Sequence, residues 1–210
     1  MSSYQLRAEN LSCIRGDRQL FVGLDLSLSA GELLYVEGKN GSGKTTLLRS
    51  LCGLFLPDAG EIYWNGASVN QLGDSFHREL HYFGHHSAIK LEFTPLENLR
   101  FNCSLNELPA EEDSLWSALT DVGLAGFEDL PSKMLSQGQR RRVALARLFI
   151  DTAPLWILDE PFTALDVAAI EMLQQVIASH VETGGLVILT THQQVALTDG
   201  RTKQLRLGAD

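Results

Sequence analysis

The chain of 210 residues is long enough for one large domain with a sizeable core, and its net charge of −9 argues against a broad nucleic-acid surface. No stretch reaches the roughly 18 apolar residues of a membrane span, so any membrane association would have to come through a partner. The N-terminus runs into Tyr4-Gln5-Leu6-Arg7-Ala8-Glu9 with no signal-peptide pattern, and Cys13, Cys52 and Cys103 make neither a metal spacing nor a disulfide framework, which suits a reducing cytosol.

Residues 1–30 read as an antiparallel hairpin, because Leu24, Leu26 and Leu28 alternate with Asp25, Ser27 and Ser29. Ala30-Gly31-Glu32 turns into the apolar run Leu33-Leu34-Tyr35-Val36, a predicted buried strand. Next comes Gly38-Lys39-Asn40-Gly41-Ser42-Gly43-Lys44-Thr45-Thr46, which reads G-x-x-x-x-G-K-[ST] and leads into the helical run 46–51. Strand, glycine loop and helix are the context that identifies a phosphate-binding loop. The glycines let backbone N–H groups wrap an anion, and the helix aims its N-terminus at the phosphates. In that setting Lys44 reaches the β- and γ-phosphates and Thr45 offers a hydroxyl to Mg²⁺.

The stretch from Leu56 to Gly66 has turn residues around Glu61-Ile62-Tyr63-Trp64 and predicts another β piece. His77, His81, His85 and His86 follow, four of the six histidines. The spacing of His77 and His81 would put both on one helical face. No Cys, Asp or Glu completes a metal-ligand set at standard spacing and Gly84 interrupts the pattern, so they read as exposed or loop histidines. From Thr94 to Pro131 the pattern turns helical. Thr94-Pro95-Leu96-Glu97 is an N-cap, a proline at N1 and a carboxylate at N3, and Ser114–Leu119 starts a second amphipathic run that ends near Gly123.

Leu135-Ser136-Gln137-Gly138-Gln139 then opens a predicted long helix, with Ser136 and Gln139 spaced as a capping box. By itself this is either a capped helix or an anion site at a helix start. Arg140, Arg141 and Arg142 fall on different helix faces and read as solvated or packing residues. Pro154-Leu155-Trp156-Ile157-Leu158-Asp159-Glu160-Pro161 is a buried parallel strand with two carboxylates at its C-terminal end, where open α/β sheets bind ligands. Asp159 can hold Mg²⁺ through water and Glu160 can polarise an attacking water. Val187-Ile188-Leu189-Thr190-Thr191-His192 repeats the pattern of a buried strand with a polar end, which makes His192 a candidate γ-phosphate contact.

In this order and spacing the chain resembles the ATP-binding-cassette (ABC) ATPases over nearly its whole length. Residues 38–45 match the Walker A loop and residues 155–160 match Walker B with its catalytic Glu160. Residues 135–139 resemble the LSGGQ signature with Gln137 in place of the first glycine. Ala164-Leu165-Asp166 is similar to the D-loop, and His192 to the switch histidine. The resemblance implies an α/β fold: a P-loop cassette with a mixed central sheet, an antiparallel β subdomain and a helical subdomain at about 87–135, all within one domain 1–210. It implies ATP and Mg²⁺ as ligands, with Thr45 and Asp159 on the metal. It also implies a head-to-tail dimer, in which Ser136 and Gly138 act across the interface and Asp166 helps link the two ATP sites. Two positions depart from the family pattern. His86 stands where a glutamine contacts Mg²⁺ and the membrane partner, and imidazole does not copy an amide. Arg15 stands where an aromatic residue stacks on adenine, and a guanidinium can also stack on a ring.

A narrower resemblance is to the ATP-binding subunits of bacterial haem exporters that serve cytochrome c maturation. It rests on Gly84-His85-His86, Ile89-Lys90, Leu96-Glu97-Asn98-Leu99, residues 123–129 and residues 155–166. It implies a peripheral subunit on the cytoplasmic face of the inner membrane, partnered by the membrane-spanning subunits of the maturation complex, which would themselves bind haem. ATP hydrolysis would drive release of the haem-loaded chaperone. A cassette serving another small-molecule or lipoprotein transporter has the same ATP chemistry and stays open. A soluble ABC ATPase acting on DNA or ribosomes fits this acidic chain less well, since it has no coiled coil, second cassette or basic patch.

Overall fold

The computed structural model describes residues 4–85, 88–191 and 201–208. In chain order the elements are β1 (Gln5–Arg15), β2 (Arg18–Ser29), β3 (Leu33–Glu37), α1 (Lys44–Leu51), β4 (Ala59–Trp64) and β5 (Ala67–Ser68). Then follow the one-turn helices α2 (Val69–Leu72) and α3 (Asp74–His77), β6 (Leu80–Phe83), α4 (Pro95–Leu105), α5 (Glu112–Asp121) and α6 (Gln137–Leu145). The last are β7 (Leu155–Asp159), α7 (Val167–Glu182), β8 (Leu186–Thr190) and β9 (Thr202–Arg206). They form two units. One is Met1–Phe83, Ala153–Glu160 and Ile177–Asp210; the other is Gly84–Thr152 and Pro161–Val176.

The first unit holds two sheets. The antiparallel sheet has the order β2-β1-β4-β5. Its hairpin is set by alternation: Leu6 pairs with Leu28 and Ala8 with Leu26, all buried, while Arg7 and Ser27 pair on the exposed face. The second sheet has the order β6-β7-β8-β3-β9 and is parallel throughout. The mixed β content of the fold thus lies in two sheets of opposite kind. Every residue of β7 and β8 is buried, as parallel strands covered on both faces require. One core joins both sheets and α1 through Leu28, Val36, Leu47, Leu51, Ile157 and Ile188.

His81 departs from expectation: it lies in a strand and is buried at 1% exposure. α3 ends at His77, and the period-two pattern Leu80-His81-Tyr82-Phe83 then enters the parallel sheet with His81 opposite Trp156. The sheet pairing overrides the i,i+4 helical spacing. His77 and His85 are exposed.

The second unit contains α4, α5, α6 and residues 167–176 of α7, around a core that includes Leu99, Leu115, Leu119, Leu124 and Val143. Both capping boxes form. Thr94 Oγ1 accepts the Glu97 N–H (3.2 Å) and Glu97 Oε2 accepts the Thr94 N–H (2.9 Å). Ser136 and Gln139 reciprocate in the same way at 3.2 and 2.9 Å. Each cap satisfies two otherwise orphaned donors and contributes about 1 kcal/mol. The α-helix after Ser136 is short: it ends at Leu145 and tightens into a 3₁₀ turn over Ala146–Phe149.

Candidate active site

Three adjacent strands of the parallel sheet bring polar groups to their C-terminal ends. β3 runs into the loop 38–43, β7 ends at Asp159 and β8 at Thr190. The register pairs Val36 with Thr190 and Asp159 with Thr190, so the three strand ends are level.

The loop needs its glycines. Gly38 has φ +153, and a Cβ there would fall 2.4 Å from Ser42 Oγ and 2.8 Å from the Leu207 carbonyl oxygen. Gly43 caps α1 with φ +100. Lys39, Asn40, Gly41 and Thr45 are exposed, Thr46 is half-buried, and Ser42, Gly43 and Lys44 are buried. Lys44 Nζ donates to the carbonyl oxygens of Gly38 (2.7 Å) and Lys39 (3.3 Å), which hold the ammonium at the loop. Ser42 Oγ is buried with no hydrogen-bond partner among the described residues. Such an orphaned hydroxyl suits a phosphate oxygen.

Asp159 is the centre of a hydrogen-bonded chain. Thr45 Oγ1 donates to its Oδ2 at 2.8 Å, and Thr190 Oγ1 donates to its Oδ1 at 2.7 Å. The Glu160 N–H donates in turn to Thr190 Oγ1 at 2.8 Å. A hydroxyl and a carboxylate oxygen already in contact are the hard oxygen donors that Mg²⁺ prefers, so the residues fit that ion. Glu160 is half-buried and sits at φ +51, a left-handed conformation that costs a non-glycine residue about 1 kcal/mol or more. Burial, reinforced by the Asp159 charge, pushes the Cys52 thiol well above its usual range, and burial raises the Tyr82 phenol. Both groups are therefore neutral at physiological pH and do not compete with the carboxylates for a base role.

Arg15 ends β1 at an exposed hairpin tip. Its partner across the hairpin, Arg18, reaches the loop: a Cβ on Gly41 would lie 3.4 Å from the Arg18 Nη1. His86 and His192 lie outside the described residues.

The second unit holds the other predicted motifs. Ser136 and Gln137 are exposed at the start of α6, and Gly138 and Gln139 are half-buried. A Cβ on Gly138 would stand 3.1 Å from the Ala164 carbonyl oxygen, so the helix start lies close against the loop before α7. One helical turn on, Arg142 pairs with Asp166, and Asp166 Oδ1 also accepts the Ala169 N–H (2.9 Å) at the start of α7. The three arginines diverge as their spacing predicts. Arg140 donates to the Ser132 and Lys133 carbonyls, Arg141 is buried and donates to the His85 carbonyl, and Arg142 takes Asp166.

Sequence reasoning passed over Thr190, Arg18 and the Arg142 pairing. The only local signal for Thr190 is that polar residues end the run Val187-Ile188-Leu189. Whether its hydroxyl meets Asp159 depends on strand register.

Comparison with known proteins identifies the family. Residues 21–163 match the ABC transporter family. The cytochrome c biogenesis ATP-binding export protein CcmA of Dechloromonas aromatica is 56% identical over 203 residues, covering 97% of this chain and 100% of that protein. CcmA of Escherichia coli K12 is 49% identical over 202 residues, covering 96% of each. A solved ATP-binding cassette, MJ0796, described as a dimer in a post-hydrolysis state bound to ADP and Pi, superposes with a TM-score of 0.79 at 24% identity, covering 90% of this chain and 88% of that one. The chain belongs to the ABC transporter family of ATPases, in the group of the CcmA ATP-binding subunits.

Proposed function

We propose that this chain is the ATP-hydrolysing subunit of a haem-export complex of cytochrome c maturation, and that its hydrolysis drives release of the haem-loaded chaperone. The near-full-length likeness to proteins named for cytochrome c biogenesis carries the reading. Among the described residues no helix is long and apolar enough to cross a membrane. As the subunit of such a complex the chain would be peripheral, on the cytoplasmic side of the inner membrane, docked on membrane-spanning partners that bind the haem.

In this reading the loop 38–46 wraps the ATP phosphates. Lys44 exchanges its two loop carbonyls for β- and γ-phosphate oxygens, and the Ser42 hydroxyl gains an acceptor. Arg18, and Arg15 at the hairpin tip, add positive charge on the nucleotide side of the loop. Thr45 and Asp159 hold Mg²⁺, which, when bound, neutralises charge developing on the phosphates. Glu160 accepts a proton from the water that attacks the γ-phosphorus, and the bond to the bridging oxygen breaks to leave ADP and phosphate. By the family resemblance His192 would contact the γ-phosphate, and His86 would stand at the ATP site in the place of the family's glutamine. The chain carries one phosphate loop and one signature, so two copies pair head to tail. Ser136, Gln137, Gly138 and Gln139 of one copy then close the ATP site of the other, and Asp166 links the two.

A pull-down of the tagged chain from detergent-solubilised native membranes, with an ATPase assay on the eluate, tests this. The expected result is recovery of the cytochrome c maturation membrane subunits with ATPase activity that Lys44→Ala abolishes. Recovery of a different permease would move the function to another cargo, and a chain that stays alone would overturn the transport reading.

A further inference from the structure

The Thr190 hydroxyl sits between the two carboxylate residues of the site and has no assigned part in the reaction. It is fully buried, donates to Asp159 Oδ1 at 2.7 Å and accepts the Glu160 N–H at 2.8 Å. A threonine hydroxyl has one proton to give and two lone pairs, so this one bond each way fixes its orientation.

Two consequences follow. Asp159 Oδ1 is committed to Thr190, which leaves Oδ2 as the oxygen facing Thr45 Oγ1 at 2.8 Å. The carboxylate therefore cannot flip without breaking a buried hydrogen bond. The same hydroxyl also pins the peptide between Asp159 and Glu160, at the point where Glu160 turns to φ +51. A left-handed non-glycine residue persists only where its surroundings hold it. Here a hydrogen bond from the neighbouring strand contributes to that hold, made possible because the parallel register sets Thr190 opposite Asp159.

We propose that Thr190 is a positioning residue for ATP hydrolysis: its hydroxyl locks the Asp159 carboxylate and the Glu160 backbone into one rigid unit, so that metal binding and water activation share a single alignment. The proposal rests on the reading of Asp159 as a metal ligand and Glu160 as the base.

The test uses the full chain in its membrane complex, with Thr190→Val and Thr190→Ser. Valine keeps the β-branched shape of the buried strand and removes the hydroxyl, whereas serine restores the hydroxyl. The expected result for Thr190→Val is a kcat lower by about tenfold or more with KM for ATP little changed. In the same variant, a fluorescent ATP analogue should bind normally in EDTA but need several-fold more Mg²⁺ to reach its metal-dependent signal. Thr190→Ser should recover most of both losses. A Thr190→Val protein with kcat within twofold and an unchanged Mg²⁺ titration would overturn the proposal. So would losses that track the unfolding midpoint and are not rescued by serine, since they would mark the hydroxyl as structural only. Near-normal turnover in Glu160→Gln would instead overturn the underlying reading of the site, and this proposal with it.

Discussion

Arg142 on α6 forms an ion pair with Asp166, and this pair ties the helix that begins at the Ser136 cap to the loop that begins α7. Gly138 and Arg142 are i and i+4 on one face of α6, and both meet the segment 164–166. The signature-like motif and the D-loop-like motif are thus mechanically joined inside one unit. The Asp166 side chain is 63% exposed, which limits what the charge pair adds to stability. A double-mutant cycle of Arg142→Ala and Asp166→Asn, read by urea unfolding, is expected to give a coupling below about 1 kcal/mol. Asp166→Ala should cost roughly 1 kcal/mol more than Asp166→Asn, because asparagine can still cap the Ala169 N–H and alanine cannot. Equal losses for both would show that the cap contributes nothing.

Lys44→Ala removes a cation that the loop holds with two carbonyl contacts and that the proposed mechanism moves onto phosphate. ATP affinity, measured by isothermal titration, is expected to fall by about tenfold or more, the equivalent of one charged hydrogen bond. Turnover should fall with it. Unchanged binding would break the link between the loop and the nucleotide.

Glu160→Gln keeps the size of the side chain and the backbone N–H that bonds Thr190. Nucleotide binding should survive while hydrolysis drops by about a hundredfold or more, the usual scale of a general base. Gel filtration with ATP should then report a trapped dimer. A variant that still hydrolyses at near the parent rate would remove Glu160 from the base role.

Asn98 is the anchor of the second unit. Its Oδ1 accepts the Lys90 N–H at 2.7 Å, and its Nδ2 donates to the Thr94 carbonyl (3.0 Å) and to Ser132 Oγ (3.1 Å). It is 1% exposed, so removal leaves buried partners unsatisfied. Asn98→Ala is expected to destabilise by about 2–4 kcal/mol in chemical denaturation. A loss below about 1 kcal/mol would mean that water replaces the amide.

Stability is expected to fall on the alkaline side. Burial raises the thiols of Cys13, Cys52 and Cys103 above 9.0 and pushes the Tyr35 phenol up to about 12. Each group is neutral when folded and ionises at its ordinary value when unfolded. Its contribution is therefore complete below pH 9 for the thiols and below pH 10 for Tyr35, and declines above those values as the unfolded chain loses protons. Thermal midpoints measured from pH 7 to 11 should be flat at first and then drop from about pH 9. Thiol alkylation at pH 8 should be slow until denaturant is added. A midpoint that rises with pH would contradict the burial of these groups.

Sequence alone determined the features whose physics is local. The glycine loop between β3 and α1, with Lys44 and Thr45, is legible because glycine spacing and the flanking strand and helix lie within a few residues of one another. The capping boxes at Thr94 and Ser136 depend on residues three apart. The buried strand that ends at Asp159, with Glu160 just beyond it, is written in consecutive apolar residues. Only the tertiary structure decided the relationships that cross strands or helices. His81 reads locally as a helical-face neighbour of His77, but parallel pairing with β7 buries it beside Trp156. Thr190 reads as one more polar residue at a strand end, and only the register of β7 and β8 brings its hydroxyl to Asp159. Arg18 carries no local signal and Arg142 reads only as a solvated or packing residue, until the hairpin and the α6 packing place them at Gly41 and Asp166. Hydrogen bonds between residues far apart in the chain are specified by register and packing, which short-range patterns do not encode.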